Sequence, residues 1–137
     1  MVIRSLKYIE LKSGCSDKGP AWIAHVRLSK SGRTVYFNGK ALKRILCHRG
    51  SGNHRDLETG EEYWVSGVKK DGRDRHWAGS GVVWIEAGAV AEYLDVIGSA
   101  ALDSSRLEVI ADLPETEIDR LAAIEHSSAA DRAARWE

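Results

Sequence analysis

The sequence predicts a mainly β fold of the α+β class: a small twisted antiparallel β-barrel or curled sheet with a packed helix and an acidic helical C-terminal extension. Apolar and polar side chains alternate with period two over residues 21–28, which is typical of a half-buried strand. Gly-containing turn pairs separate the other short β-prone runs, as in chains that form hairpins. The length of 137 residues corresponds to one domain with its own core.

The strands of the first half follow from these turns. We expect a strand near residues 6–11 and a hairpin over residues 21–37, in which Ser31–Gly32 reverses the chain. Asn38–Gly39 supplies the next turn, because both residues tolerate a positive φ. Residues 40–45 are too short to distinguish one helical turn from a strand.

Residues 54–78 predict a three-stranded meander with turns at Thr59–Gly60 and Asp71–Gly72. Two-residue turns place Asp56 opposite Tyr63. The face with two tryptophans, predicted to be the core face, holds Arg55, Leu57, Trp64, Ser66, Val68, Arg75 and Trp77. The other face holds His54, Asp56, Tyr63, Val65, Gly67, Asp74 and His76. A register change of one residue exchanges the two faces.

The pattern changes near Glu86. A short strand is expected at residues 82–85, followed by an amphipathic helix over residues 88–97 that Gly98 closes. Residues 107–110 form a possible further strand, and a helix is expected to start at Pro114. We therefore divide the chain into a basic antiparallel β-domain with a covering helix, residues 1–98, and an acidic helical extension, residues 99–137.

The net charge of zero conceals a split between the two parts of the chain. Residues 1–85 carry 16 Lys+Arg and 8 Asp+Glu, whereas residues 86–137 carry 4 and 12. A basic body with aromatic residues among its cations is typical of proteins that bind nucleic acid or an acidic partner. The candidate binding residues are Lys40, Lys43, Arg44, Arg55, Tyr63, Lys69, Lys70, Arg73, Arg75 and His76.

The polar face of the meander is an alternative site, because histidine and carboxylate side chains perform acid–base chemistry. This site consists of His54, Asp56, Tyr63, Asp74 and His76. The two histidines are expected about 9–10 Å apart, on either side of the middle strand, which is too far for both to bind one zinc ion. Nucleophile-elbow, zinc-protease and phosphate-loop motifs are absent from the sequence. We therefore assign no catalytic residue, and we expect neither a metal nor a cofactor.

The cysteines and the apolar runs of the sequence indicate the cellular compartment of the protein. Cys15 and Cys47 share no metal-ligand spacing, and two isolated thiols fit a reducing compartment. Neither an apolar run long enough to span a bilayer nor the apolar stretch of a secretory signal occurs. These observations predict a cytoplasmic protein that does not associate with a membrane.

Three segments carry a resemblance to a known family: residues 29–40 (SKSGRTVYFNGK), 58–70 (ETGEEYWVSGVKK) and 74–77 (DRHW). They resemble a family of small uncharacterised bacterial proteins over roughly residues 6–97. The family brings no functional residues to transfer. Some members bear the label deoxyxylulose phosphate synthase, an activity that requires large α/β domains and a Gly-Asp-Gly motif followed by a distant Asn, none of which this chain has.

Three functions are compatible with these observations. The first is a non-enzymatic binding module whose basic β-surface recognises nucleic acid or an acidic protein. The second is a small enzyme or small-ligand-binding protein that uses the polar face, and the third is an accessory subunit of a larger complex. We also expect the acidic extension to fold back on the basic body and to compete with anionic ligands, with truncation after Gly98 leaving the β-body folded.

Overall fold

The computed structural model describes residues 3–13, 19–45, 52–74 and 81–121. Eight strands form one sheet in the order β1-β6-β5-β4-β3-β2-β7-β8, and β1 also pairs with β2. The strands are β1 (Ile3–Leu11), β2 (Ala21–Leu28), β3 (Thr34–Phe37), β4 (Lys40–Arg44), β5 (His54–Asp56), β6 (Glu62–Gly67), β7 (Val83–Glu86) and β8 (Leu107–Ile110). The fold is mainly β, as predicted.

The first six strands close into an antiparallel barrel because β1 pairs with β6 along one edge and with β2 along the other. The predicted hairpin over residues 21–37 is confirmed, with Arg27 opposite Tyr36. Asn38 and Gly39 have φ values of 49° and 74°, which two-residue hairpin turns require. Residues 40–44, which the sequence left open between helix and strand, form β4 and pair with β3.

The remaining elements lie outside the barrel. Strand β7 pairs in parallel with β2, and β8 pairs in parallel with β7. The predicted helix consists of a 3-10 turn at Ala87–Ala89 and helix α1 at Val90–Ile97. Gly98 ends α1 with a φ of 67°, the left-handed conformation that favours glycine after a helix.

Three apolar clusters hold these layers together. The barrel interior contains Ile9, Ala24, Val26, Val35, Phe37, Leu42, Tyr63 and Val65. A second cluster lies between the outer face of β1–β2 and helix α1, and it includes Tyr8, Ile23 and Tyr93. A third covers the outside of β3–β4, where Leu121 is fully buried against Tyr36 and Ala41.

The register and the core face predicted for residues 54–67 are wrong. His54 pairs with Tyr63 and Arg55 with Glu62, a shift of two residues from the expected pairing, because residues 57–60 form a four-residue loop. Its bonds run from Gly60 N–H to the Asp56 carbonyl at 2.9 Å and from Glu58 N–H to the Asp56 carboxylate at 2.8 Å. A shift of two keeps the faces intact, but their roles are reversed.

The face with the histidine is the buried one. His54, Asp56 and Tyr63 are 7%, 1% and 3% exposed, whereas Trp64 on the predicted core face is 37% exposed. The reason is that the closed barrel places Tyr63 and Val65 in its interior. The predicted third strand from Arg75 to Trp77 lies outside the described residues, and Asp74 itself is not in a strand.

Beyond Gly98, the described chain remains attached to the sheet. Strand β8 extends the sheet next to β7, so the described extension is only partly helical. Helical residues start at Ile118 rather than at Pro114. The expected division at residue 98 therefore stays a prediction about folding units, and residues 122–137 lie outside the described part. No described helix has the length and apolar character needed to cross a membrane.

Candidate functional site: the basic end of the barrel

The two ends of the barrel differ in charge. One end, called the basic end here, is formed by the start of β1, the β2–β3 turn, the last residues of β4 and the end of β6. Its described cations include Lys7, Lys30, Arg33 and Arg44. The opposite, acidic end carries Glu10, Glu58, Glu61 and Glu62, close to the β5–β6 loop.

Cations at the acidic end have carboxylate partners. Lys12 Nζ lies 2.7 Å from Glu10, and Lys40 Nζ lies 3.7 Å from Asp56 Oδ2. At the basic end, no carboxylate of the described chain lies within 4.0 Å of Lys7 or Arg44. The positive charge of this end is therefore not neutralised by neighbouring described residues.

A cavity of about 510 Å³ opens at the basic end, a volume within the range of small-ligand sites. Its polar and aromatic lining consists of Lys7, Arg44, Asn53, His54 and Trp64. Leu28, Val35 and Val65 provide the apolar part of the lining. Two cations, His54 and Trp64 are therefore among the residues that line one cavity.

Asn53 fixes the state of His54 through a chain of hydrogen bonds. Val65 N–H donates to Asn53 Oδ1 and Asn53 Nδ2 donates to the Val65 carbonyl, each at 2.8 Å. These two bonds set the orientation of the amide, so its Oδ1 is the atom 2.9 Å from His54 Nδ1. Because Oδ1 only accepts, Nδ1 carries the proton and Nε2 of the neutral ring is an acceptor.

His54 remains neutral at pH 7. Burial, and then the positive charges of Arg44 and Lys7, lower the pKa of His54 to about 4. Within the described chain Nε2 has no hydrogen-bond partner. The ring therefore presents an acceptor to the cavity and does not add a third positive charge.

Trp64 is among the residues that line the cavity, but its side chain does not point into the barrel. Its position alternates with the buried Tyr63 and Val65 on β6, so its side chain points away from the barrel interior and is 37% exposed. Trp64 is the register partner of Glu10 across β1–β6, and its exposed indole offers a base-stacking surface. The predicted place of this tryptophan on the core face is therefore wrong.

The predicted cations are distributed over several surfaces. Arg44 lines the cavity, whereas Lys43 and Arg55 face each other on the outside of β4 and β5. Lys40 lies at the acidic end beside Asp56. The turn after β6 carries Lys69, Lys70 and Arg73, and Arg75 and His76 lie outside the described residues. Tyr63, also predicted to bind, is buried in the barrel.

The alternative polar site is assembled only in part within the described chain, because His54, Asp56 and Tyr63 share the buried face of β5–β6 whereas Asp74 lies elsewhere. Asp56 Oδ1 accepts the Glu58 and Thr59 N–H groups and so stabilises the β5–β6 loop. Burial, with Glu61 and Asp56 nearby, raises the pKa of Tyr63 to about 12, so its hydroxyl remains protonated. Asp74 lines a separate cavity next to α1. His54 and Asp56 thus have different neighbours, and only His54 lines the cavity at the basic end.

Lys7, Asn53 and Trp64 were missed as site residues. Lys7 lies in the first predicted strand and Asn53 in a predicted loop, and no local pattern shows that they meet across a closed barrel. Trp64 did carry a signal, because it alternates with Tyr63 and Val65 along β6.

Comparison of the chain with protein-family models, curated proteins and solved structures found no match. Among the described residues, no group of three or more His, Cys, Asp or Glu side chains is arranged to hold a metal ion. The assignment of function therefore depends on the geometry of the basic end.

Proposed function

We propose that this protein binds single-stranded nucleic acid at the basic end of its barrel. The observation that carries the proposal is the shared cavity border of Trp64, Lys7 and Arg44. Proteins that bind single strands combine cations along the phosphate backbone with aromatic rings on which bases stack. An acidic protein surface would engage the cations, whereas a single strand engages the cations with its phosphates and the exposed indole with its bases.

Each group has a distinct role in this proposal. Lys7 and Arg44 neutralise phosphate groups, and Trp64 stacks on a base. His54 Nε2 accepts a hydrogen bond from an N–H group on the base edge, because Asn53 holds its proton on Nδ1. The apolar lining from Leu28 and Val35 accommodates the remainder of the base. A base in a duplex is already paired and stacked, so this arrangement favours a single strand.

The proposal is tested by fluorescence anisotropy with a labelled oligothymidine at about 50 and 200 mM salt. Counterion release predicts that log affinity falls with log salt at a slope of about −0.7 per neutralised phosphate. Trp64→Ala is expected to weaken binding by about tenfold, since stacking contributes about 1–3 kcal/mol per base. Lys7→Gln is expected to reduce the slope by about 0.7.

Two control variants separate the site from general effects. Trp84 lies on β7 and packs against Trp22 at 5.7 Å, so Trp84→Phe is expected to leave affinity unchanged. Arg120 pairs with Glu58 at the acidic end, so Arg120→Gln removes a cation without changing the cavity. Absence of oligothymidine binding at the lower salt would overturn the proposal. Binding that Arg120→Gln weakens as much as Lys7→Gln would assign it to overall charge instead.

A further inference from the structure

A second cavity lies outside the barrel, between helix α1, the edge of β7–β8 and the turn that follows β6. Its volume is about 350 Å³, which falls within the range of small-ligand pockets. The apolar lining consists of Ile23, Val83, Ile97 and Leu107. None of these residues lines the cavity at the basic end, so the two cavities are separate sites.

Asp74 places an unpaired carboxylate oxygen in this lining. Its Oδ1 accepts the Lys69 N–H group at 2.7 Å, whereas its Oδ2 is buried and has no hydrogen-bond partner among the described residues. A buried acceptor without a partner is costly and requires an explanation. A donor on a bound molecule would satisfy Oδ2.

Tyr93 adds a hydroxyl group to the same wall. Gly72 has a φ of 73°, and a Cβ atom at that position would lie 3.4 Å from the Tyr93 hydroxyl oxygen. The turn around Gly72 therefore lies directly over this hydroxyl. No described residue forms a hydrogen bond with the Tyr93 side chain, and burial raises the pKa of Tyr93, so a neutral hydroxyl borders the cavity.

The charge of the lining favours a cation. Among the described residues of the lining, three carboxylates, those of Asp71, Asp74 and Asp103, outnumber one cation, Arg106, and the charge of Lys69 also acts on Asp74. Hydrogen bonds from Ser105 lower the pKa of Asp103 and keep it ionised. An anion would meet this negative excess, and a neutral alcohol would gain nothing from it.

We propose that this cavity binds a small organic cation, namely an ammonium group on an aliphatic body. The ammonium group donates to Asp74 Oδ2 and to the Tyr93 hydroxyl oxygen, and the aliphatic body packs on the floor that Ile23 and Leu107 help to form. This site is independent of nucleic-acid binding, since it shares no lining residue with the basic end.

The test is calorimetric titration of the full chain with n-hexylammonium chloride, compared with 1-hexanol and sodium hexanoate. We expect saturable one-to-one binding of the ammonium compound and at least tenfold weaker binding of the other two, since hydrogen bonds to charged groups exceed neutral ones. Asp74→Asn is expected to weaken hexylammonium binding by about tenfold, because Asn retains an oxygen for the Lys69 N–H group but loses the charge. Tyr93→Phe is expected to have a smaller effect.

Asp95→Asn is the matched control, because it removes an exposed carboxylate from α1 that does not line the cavity. Amide chemical-shift mapping on the unaltered protein locates the ligand without any variant, and shifts are expected at Gly72, Ile97 and Leu107. Equal affinity for hexanol and hexylammonium would overturn the proposal. So would shifts confined to other surfaces, or an Asp95→Asn effect as large as that of Asp74→Asn.

Discussion

The cavity at the basic end and the cavity beside α1 are of similar size but differ in origin and charge. The first is enclosed by strands β1–β6, and its cations Lys7 and Arg44 have no carboxylate partners in the described chain. The second lies outside those strands, and one oxygen of its carboxylate Asp74 has no partner in the described part of the chain. A chain with zero net charge thus keeps uncompensated charge of opposite sign in two separate places, which fits two ligands of opposite charge.

The structure also shows that part of the excess charge in each half of the sequence is paired. The excess positive charge of residues 1–85 is not spread over one face, because Lys40 and Lys12 are paired at the acidic end. The excess negative charge after residue 86 is partly paired with the body, as in the contact of 2.9 Å between Arg27 and Glu115. The local lack of partners, rather than the total charge, distinguishes the two cavities.

The largest expected effect comes from truncation after Gly98. This change removes Ser99, Asp103, Arg106 and Leu107 from the cavity beside α1 and removes none of the described residues that line the basic end. Hexylammonium binding should be lost completely, while oligothymidine binding is retained and tightens modestly at low salt because acidic residues are removed. Calorimetry and anisotropy on the same preparation measure both effects.

The truncated chain should stay folded but less stable, because residues 3–67 close the barrel while the loss of Leu121 uncovers Tyr36 and Ala41. Circular dichroism during thermal unfolding checks this, and Leu121→Ala alone should cost about 2–4 kcal/mol of unfolding free energy. A truncated chain that cannot fold would show that the extension belongs to the folding unit. Unchanged oligothymidine affinity at low salt would exclude competition by the extension.

The next effect is charge reversal at the basic end. The double variant Lys7→Glu/Arg44→Glu should weaken oligothymidine binding by about 100-fold, since two charge-assisted contacts are replaced by repulsion. Hexylammonium affinity should stay within about twofold, because the cations of the basic end do not line the other cavity. Parallel changes in both affinities would show that the two cavities are coupled.

A smaller effect is expected from His54, whose protonation makes the free energy of unfolding depend on pH. Its pKa is about 4 in the folded protein, against an ordinary value of 6.5, so the unfolded chain binds more protons between these values. The free energy of unfolding therefore decreases as the pH falls from about 6.5 to 4, by about 1–2 kcal/mol after screening by solvent. In His54→Asn this decrease should be smaller, as measured by urea unfolding at about pH 7 and 4.5. An equal decrease in both proteins would assign it to other groups.

The sequence predicted much of the fold because its turns are encoded locally. Asn38–Gly39 and Gly98 require positive φ values, and both end their elements where expected. The two-residue turn predicted at Thr59–Gly60 is wrong because the Asp56 side chain and carbonyl accept hydrogen bonds that stabilise a longer loop. That loop depends on contacts of Asp56 that a turn dipeptide does not reveal.

The sites were harder to predict because they depend on closure of the barrel. The alternation along β6 separates Trp64 from Tyr63 and Val65, but it does not show which set faces inward until β1 and β6 pair. Tryptophan is usually buried, so the general preference pointed to the wrong face. Lys7 and Arg44 are 37 positions apart in the sequence, and only the pairing of six strands places them at one cavity.

The smallest expected effect is a gain of stability in Asp74→Asn. Burial raises the pKa of Asp74 in the folded state. Above the ordinary carboxyl pKa, the folded chain therefore binds more protons at this group than the unfolded chain does. As a result, Asp74 lowers the free energy of unfolding as the pH rises. Asn retains an acceptor for the Lys69 N–H group and has no charge to bury. The free energy of unfolding of Asp74→Asn should therefore be higher by about 0.5–1 kcal/mol, as measured by urea unfolding at pH 7 without ligand. Asp95→Asn, on the exposed side of α1, should change stability by less than about 0.5 kcal/mol. A stability gain that accompanies weaker hexylammonium binding would show that Asp74 is retained for a ligand, because a purely structural carboxylate would lose stability on the same substitution.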